Sequence, residues 1–467
     1  MKNSPPVMTR EQAQAVIERV VKMSKAEGIQ VNIGGGYNAN IRFADNRIST
    51  AGGVSTANVN VQSSFGAKHA VVSTNDLTDE GLERAVRQSE ALAKLAPDDP
   101  EAMPLLGPQQ YETVKGYFES TGNLSPEGRA ETARLAIDPC KAAGDLKAAG
   151  FLVTGIGANA VGNNKGLFAY RAGTSSNYTL TVRTSDGTGS GWAGADHPDW
   201  SQLDVKGVAQ HAIEKARLSR SPVAIEPGRY TVVLEPQAVF ELVNAVVQAL
   251  DRNAAEQGVG PFALERDPRL GIVRSRLGTK VMDERVTIGH DPSDPLLGVV
   301  PFTTGAVPQP YRPVRWIDRG ILTALADPYR EYALSTRTEN VGVMNSGSFR
   351  MSGGNATVDD MIRTTRRGLL VTRFSDAHVL DSGTLLMTGF TRDGLWLIEN
   401  GAVTKPVKNF RFTESPRFVL NSIEALGEPV PVFNPVDDPY AGSGIVPAIV
   451  PPIKARDFSF TSLVDAI

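Results

Sequence analysis

Glycine and proline punctuate this chain from end to end, and that most limits what it can fold into. The 45 glycines and 30 prolines are dispersed among runs rich in Val, Thr and Ser instead of being gathered into linkers. Such punctuation forbids long uninterrupted helices and predicts many short strands joined by tight turns. Residues 31–33, 40–43 and 47–50 read as short strands. The stretch after them alternates at period two, with Ala57, Val59 and Val61 on one face and Asn58, Asn60 and Gln62 on the other.

Helical periodicity interrupts the strands. Thr9 to Gln12 fits a capping box, Val16, Ile17, Val20 and Val21 follow at helical spacing, and Gly28 is the expected stop. A second helix starts near Thr78, turns Leu82, Ala85, Val86, Leu92 and Ala93 inward, and ends by Pro97. A third opens at Ser125-Pro126, with Pro139 expected to kink or end it. Strands fill 151–194, broken at Gly162-Asn163-Asn164 and Asp186-Gly187. Further helices span about 204–218 and 237–250, the latter after a strand at 230–234. Helices and strands in separate runs predict an α+β fold.

At 467 residues the chain is long for one core. Pro, Ser and Gly gather at 219–228, which sets an expected boundary. The N-terminal domain, 1–222, is read as helices with a mixed sheet; the C-terminal domain, 223–467, as strand-rich. Its proline-rich stretch, 427–452, is expected to be an extended covering segment.

Charge is close to balance, with 48 Lys+Arg against 51 Asp+Glu, so nothing global points to nucleic acid or an anionic membrane. No apolar run is long enough to span a bilayer, and MKNSPPVMTREQ does not read as a signal peptide. A cytoplasmic location is the expectation. Arg363 to Arg367 lacks the interleaved aromatics of a nucleic-acid surface. Cys140 has no partner for an internal disulfide and reads as a buried thiol. The five histidines (His69, His197, His211, His290 and His378) form no compact ligand motif. His197 and His290 stand beside carboxylates in proline-containing turns. Ser346 and Ser348 belong to a small polar loop without a nucleophile elbow. Gly155 to Ala160 fits GxGxxA, but a turn follows it where a dinucleotide fold needs a helix.

Several stretches taken together resemble the TldD/PmbA family of metallopeptidases and their metal-less partners. They are Asn40 to Asn46, Thr74 to Thr78, Glu226 to Tyr230 with Val232 to Pro236, Phe349 to Met351, and Ile398 to Gly401 with Pro406-Val407. The resemblance implies an HExxxH motif on the helix after the EPGRY strand, and a cysteine near the C-terminus, as metal ligands in catalytic members. Here that helix reads Phe240-Glu241-Leu242-Val243-Asn244-Ala245, so Phe240 and Ala245 stand where the two histidines would be and Glu241 alone keeps its type. Tyr440 to Gly444 offers no cysteine.

A phenyl ring and a methyl group have no lone pair to donate, so neither metal nor other cofactor is expected. Glu241 is either an ordinary helix carboxylate or a proton acceptor with no activated water to act on. The resemblance therefore implies a non-catalytic peptidase subunit that binds extended peptide and pairs with a metal-bearing TldD-like chain or a second copy of itself. Arg350, Glu399 and Asn400 either line the peptide groove or brace it. Two other readings stand: an active enzyme with dispersed ligands such as His197 or His290, and a binding or assembly protein without a tie to proteolysis.

Overall fold

A computed structural model describes residues 7–100, 102–264, 274–297, 301–303, 308–326, 345–432 and 447–464. The chain adopts the expected α+β class. Its first sheet contains β1 (Gly28–Ala44), β2 (Arg47–Phe65), β3 (Lys68–Thr74), β4 (Leu146–Asn163), β5 (Phe168–Thr184) and β6 (Ser190–His197), in the order β3-β2-β1-β4-β5-β6. Every pairing in it is antiparallel. The mixed pairing expected here falls in the C-terminal half instead. The short strands read at 31–33, 40–43 and 47–50 are parts of two ribbons of 17 and 19 residues. Gly34-Gly35-Gly36 does not break the first of them, because the neighbouring backbones of β2 and β4 pass too close for a side chain. A Cβ on Gly36 would lie 2.1 Å from the Ile156 carbonyl.

Helices α1 (Arg10–Met23), α2 (Asp79–Leu95), the single turn α3 (Glu119–Gly122), α4 (Pro126–Ala143) and α5 (Val205–Leu218) precede the 219–228 segment. The long helices cover one face of this sheet. Odd-numbered positions of β1 supply both apolar clusters: Ile29, Val31 and Ile33 meet α1 and α2, while Ile41 and Phe43 meet α4 and α5. The Thr9–Gln12 capping box forms as expected. The first helix stops at Met23 with Ser24 as its cap, four residues before Gly28, which begins β1 instead. Leu92 faces solvent at 45% exposure, unlike the other apolar residues expected inside α2. Pro139 does not end α4: the helix runs to Ala143 and closes on Gly144 in the left-handed region.

The C-terminal half holds two more sheets. One has short strands, β8 (Ile288–His290), β9 (Val314–Asp318), β10 (Ile321–Leu322), β11 (Phe349–Met351), β17 (Val430–Val432) and β18 (Ala448–Val450). The other is built from β7 (Gly228–Leu234), β12 (Arg367–Asp381), β13 (Leu386–Glu399), β15 (Phe410–Glu414) and β19 (Ile453–Leu463), with β14 (Ala402–Pro406) and β16 (Ile423–Leu426) appended. Because β12 pairs with both β7 and β13, the pairings β12-β7-β19-β15-β13 return to their start and close a barrel. Closure removes strand edges, and an aromatic stack fills the core around Phe374, Phe412 and Phe458.

Helix α6 (Pro236–Gln248) follows β7 and packs into the largest apolar cluster, between the barrel and the short-stranded sheet. Of the expected covering segment, residues 433–446 lie outside the described residues, and β17 and β18 flank them as sheet strands.

Candidate functional site

Helix α6 begins with Pro236 at its first turn and is apolar around most of its circumference. Ala238, Val239, Phe240, Leu242, Val243, Val246 and Val247 are all buried; Gln237, Glu241, Asn244 and Ala245 form the less buried stripe. Glu235, at the cap position, does not cap with its side chain. Its carboxylate accepts from Lys215 of α5 at 2.5 Å, and its N–H donates to the Val371 carbonyl of β12. The helix start is thereby tied to both halves of the molecule.

Phe240 is 1% exposed, and its ring lies parallel to that of Phe349, centroids 6.1 Å apart with 3° between planes. Ala245 packs at the margin of the same cluster. Phe240 and Ala245, expected at two of the motif's ligand positions, thus present carbon, and Glu241 is the one ionisable side chain on α6. A transition metal bound by nitrogen and sulfur does not fit this set. Tyr440 to Gly444, where the third ligand would fall, lies outside the described residues. Among the described residues, no three His, Cys, Asp or Glu side chains converge in a geometry suited to a metal ion.

The Glu241 carboxylate makes no hydrogen bond to a described residue. Burial pushes its carboxyl up to about 7, and the Arg373 guanidinium opposes this in part. Arg373 belongs to a polar cluster that the sequence reading missed. Its Nε donates to Asp393 Oδ2 at 2.9 Å and its Nη2 donates to the same oxygen, while its guanidinium carbon sits 4.8 Å from the Trp192 ring centre. Asp393 is 2% exposed, takes a positive φ of 56°, and accepts from Ser190 Oγ of β6. The β12–β13 register slips between Val371 and Arg373, and this bulge aims both side chains at the first sheet. Asp393-Gly394 directly before the apolar run Leu395 to Ile398 was the available signal.

Arg350 of β11 spends its Nε and Nη2 on Asp294 Oδ2, at 2.9 and 2.6 Å. Beside it His290 is 3% exposed, with the hydroxyls of Ser346 and Ser348 each 3.2 Å from Nδ1. Burial pulls this imidazole down to about 4 against the pull of Asp291 and Asp294, so it is neutral at pH 7. Glu399 and Asn400 lie elsewhere. Arg367 pairs with Glu399, whereas Val371 pairs with Leu395, so they sit about 13 Å along β12–β13 from the α6 end. Asn400 and Gly401 have φ of 51° and 83° and make the β13–β14 turn, their N–H groups donating to Arg366 and Thr365. His197 is held in its own turn, with Nδ1 accepting from the Asp199 N–H. Cys140 is fully buried and its thiol is pushed up to about 11. Gly155 to Ala160 lies inside β4, without a helix start.

This architecture, three sheets with a helix wedged between a barrel and a short-stranded sheet, is shared with solved structures. TldE from Thermococcus kodakarensis superposes with a TM-score of 0.79 at 18% identity, over 96% of this chain and 99% of that one. A candidate modulator of DNA gyrase from Bacteroides thetaiotaomicron gives 0.79 at 19%, over 98% and 100%. Another from Thermotoga maritima gives 0.80 at 15%, over 96% and 100%. At these identities the likeness establishes the fold. No curated protein matches the sequence. Family models match along the chain: PmbA/TldA metallopeptidase domain 1 at residues 31–93, the central domain at 121–220 and the C-terminal domain at 227–462. The chain belongs to the PmbA/TldD metallopeptidase family.

Proposed function

We propose that this chain is a metal-less, non-catalytic subunit of a peptidase complex, of the TldE-like branch, that helps to hold extended or unfolded peptide. The observation carrying this reading is the Phe240–Phe349 stack together with Ala245, which puts carbon where a family member's metal would need donors. Burial raises the Glu241 carboxyl, and in this reading the side chains around it supply no nitrogen or sulfur ligand set to hold a Lewis acid that would lower the pKa of water. Its partner in this reading is a metal-bearing family member, with a second copy of the chain as the alternative. Peptide would bind by strand addition, where backbone hydrogen bonds supply affinity with little demand on sequence.

Arg350 and Asn400 fit the bracing role better than the lining one. The first is committed to Asp294 and the second to a hairpin turn. The proposed division into domains 1–222 and 223–467 follows the sheets, since β6 ends at His197 and β7 starts at Gly228. Among the described residues no helix is long and apolar enough to cross a membrane.

The test is purification of the chain alone and with a metal-bearing homologue. The chain alone is expected to carry no stoichiometric zinc and to leave unfolded peptides intact; the pair is expected to co-purify and cleave. Chelator-sensitive cleavage by the chain alone would refute the reading.

A further inference from the structure

We propose that Arg171, on the face of the first sheet turned away from the long helices, is a binding site for a carboxylate, with the Asn159 side-chain amide as a second donor. Arg171 of β5 stands directly opposite Asn159 of β4, and Asn159 opposite Gly34 of β1. Residues directly opposite in an antiparallel pair share a face, so the guanidinium and the amide are neighbours. The adjacent residues Tyr170 and Ala160 point the other way, into the apolar cluster that α1 covers.

A cation placed here calls for a counter-charge. Among the described residues the Arg171 guanidinium makes no hydrogen bond and no ion pair, and its Nε is wholly enclosed without a partner. Burial alone pulls its pKa down to about 10, with no carboxylate opposing the shift. The rows on either side hold no acid: Asn32, Val161 and Ala169 on one, Gly36, Gly157 and Gly173 on the other. An unpaired charge out of water destabilises the fold. An anionic ligand removes that penalty, and binding draws on the energy released.

Glycine makes room for the guanidinium. A Cβ on Gly173 would lie 2.8 Å from its Nη2, and one on Gly116 3.7 Å from its Nε, so the group lies along β5 between the two. Gly116 is fixed to the edge of β5, its carbonyl accepting from the Thr174 N–H at 2.9 Å. Val161 and Ala169 pack under Leu106 and Phe302, so the site stands where the C-terminal half meets the first sheet. Arg171 is only partly buried, which leaves it within reach of a ligand. The charge selects the ligand. One planar fork of donors beside a neutral amide matches a monoanion with two oxygens in a plane, whereas a phosphate dianion would keep charge uncompensated.

The source of the carboxylate, though not the site, rests on the proposed function: it belongs to a held peptide, as its C-terminus or as an acidic side chain. The test uses the full-length chain and begins with sodium acetate, followed by saturation-transfer NMR. Acetate is expected to bind the parent. Arg171→Met is expected to abolish the signal and to melt no lower than the parent, because it removes an unpaired charge. Gly173→Ala, whose Cβ meets the far end of a flexible side chain, is expected to weaken acetate binding and keep the melt. A neutral hexapeptide is then compared as free acid, as C-terminal amide, and as amide with one central Glu. A gain of about tenfold for the free acid alone, lost in Arg171→Met, assigns the C-terminus; the same gain for the Glu peptide assigns a side chain. Acetate binding that is absent, or that survives Arg171→Met, overturns the proposal, as does a lower melt for that variant, which would mark a structural arginine. Arg171-dependent acetate binding with no peptide bound in any form leaves the site standing and overturns the peptide reading instead.

Discussion

The Phe240 ring lies parallel to the Phe349 ring, 6.1 Å between centres, joining α6 to β11 through the core. In the proposed reading, this is the place on the helix where catalytic family members carry a metal-binding histidine. Here it is a packing residue, and its surroundings are matched to carbon: the cluster around it is apolar, with Leu242, Val246, Met351 and Val450 among its members. A phenyl ring at this place contributes a core contact and no metal donor.

Restoring the motif is therefore expected to damage the fold before it restores any site. Phe240→His puts imidazole nitrogens into a pocket with no partner and should cost about 2–3 kcal/mol, read by denaturant unfolding. The double variant with Ala245→His is expected to remain without stoichiometric zinc by elemental analysis, because no third soft ligand stands on α6.

Glu241 and His290 bias stability in opposite directions with pH. Glu241 has a folded pKa of about 7, above its unfolded value, so the folded state holds a proton that the unfolded chain has lost, and stability falls as pH rises from about 4.5 to 7. His290 has a folded pKa of about 4, below its unfolded value, so stability falls as pH drops from about 6.5 to 4. The two slopes nearly cancel in the native chain. Glu241→Gln removes one of them. Its stability should rise with pH between 4 and 6.5 and then level, exceeding the parent by roughly 1–3 kcal/mol at pH 8. Unfolding curves across pH 4–8 check this, and an unchanged pH profile contradicts it.

Asp393 holds Arg373, and Arg373 in turn biases Glu241. Asp393→Ala leaves a guanidinium, 21% exposed, without its carboxylate, at an expected cost of about 2–3 kcal/mol after allowance for solvent. Arg373→Met removes the cation that opposes the shift at Glu241, so the pH window assigned to that carboxyl should move upward. A double-mutant cycle of Arg373 and Asp393 is expected to show coupling, and additive effects would sink the pairing argument.

How much of this was legible in the sequence depends on range. Caps at Thr9 and Ser125 read directly, because each is set by residues three positions apart, and the helix starts expected near Thr78 and Asp204 fall at the residues that cap α2 and α5. The two ribbons did not read directly, because Gly34 to Gly36 signals a break locally and only the neighbouring strands show why glycine is required. Phe240, Glu241 and Ala245 are read as degenerate positions only through the motif they depart from, and the structure adds that Phe240 is a core residue. Arg373, Asp393, Ser190 and Trp192 were not legible, because they come from distant segments and meet only through the bulge and the packing of β13 on β6.

The β13–β14 turn gives a test of the bracing role. Gly401 takes φ of 83°, and a Cβ on it would stand 2.6 Å from the Arg363 carbonyl, a backbone atom with little freedom to yield. Gly401→Ala is expected to cost about 1–2 kcal/mol.

Asn400→Gly, which keeps access to the left-handed region, should be within a few tenths of the parent. If either change abolished peptide binding while leaving the melt intact, the turn would belong to the groove and not to its support.

Cys140 supplies a check on the first sheet that needs no mutation. It faces the α4–β4 core with no exposed surface, and burial pushes its thiol up to about 11. At pH 8 it is both inaccessible and almost wholly protonated, and thiolate is the reactive form. The native chain is expected to resist a thiol reagent for as long as the fold persists, and to react at once when unfolded by denaturant. Because opening of the α4–β4 contact is the route to the thiol, the labelling rate measures the stability of that half, as native-state exchange does. Rapid labelling of the folded chain would mean that α4 does not seal the sheet as described.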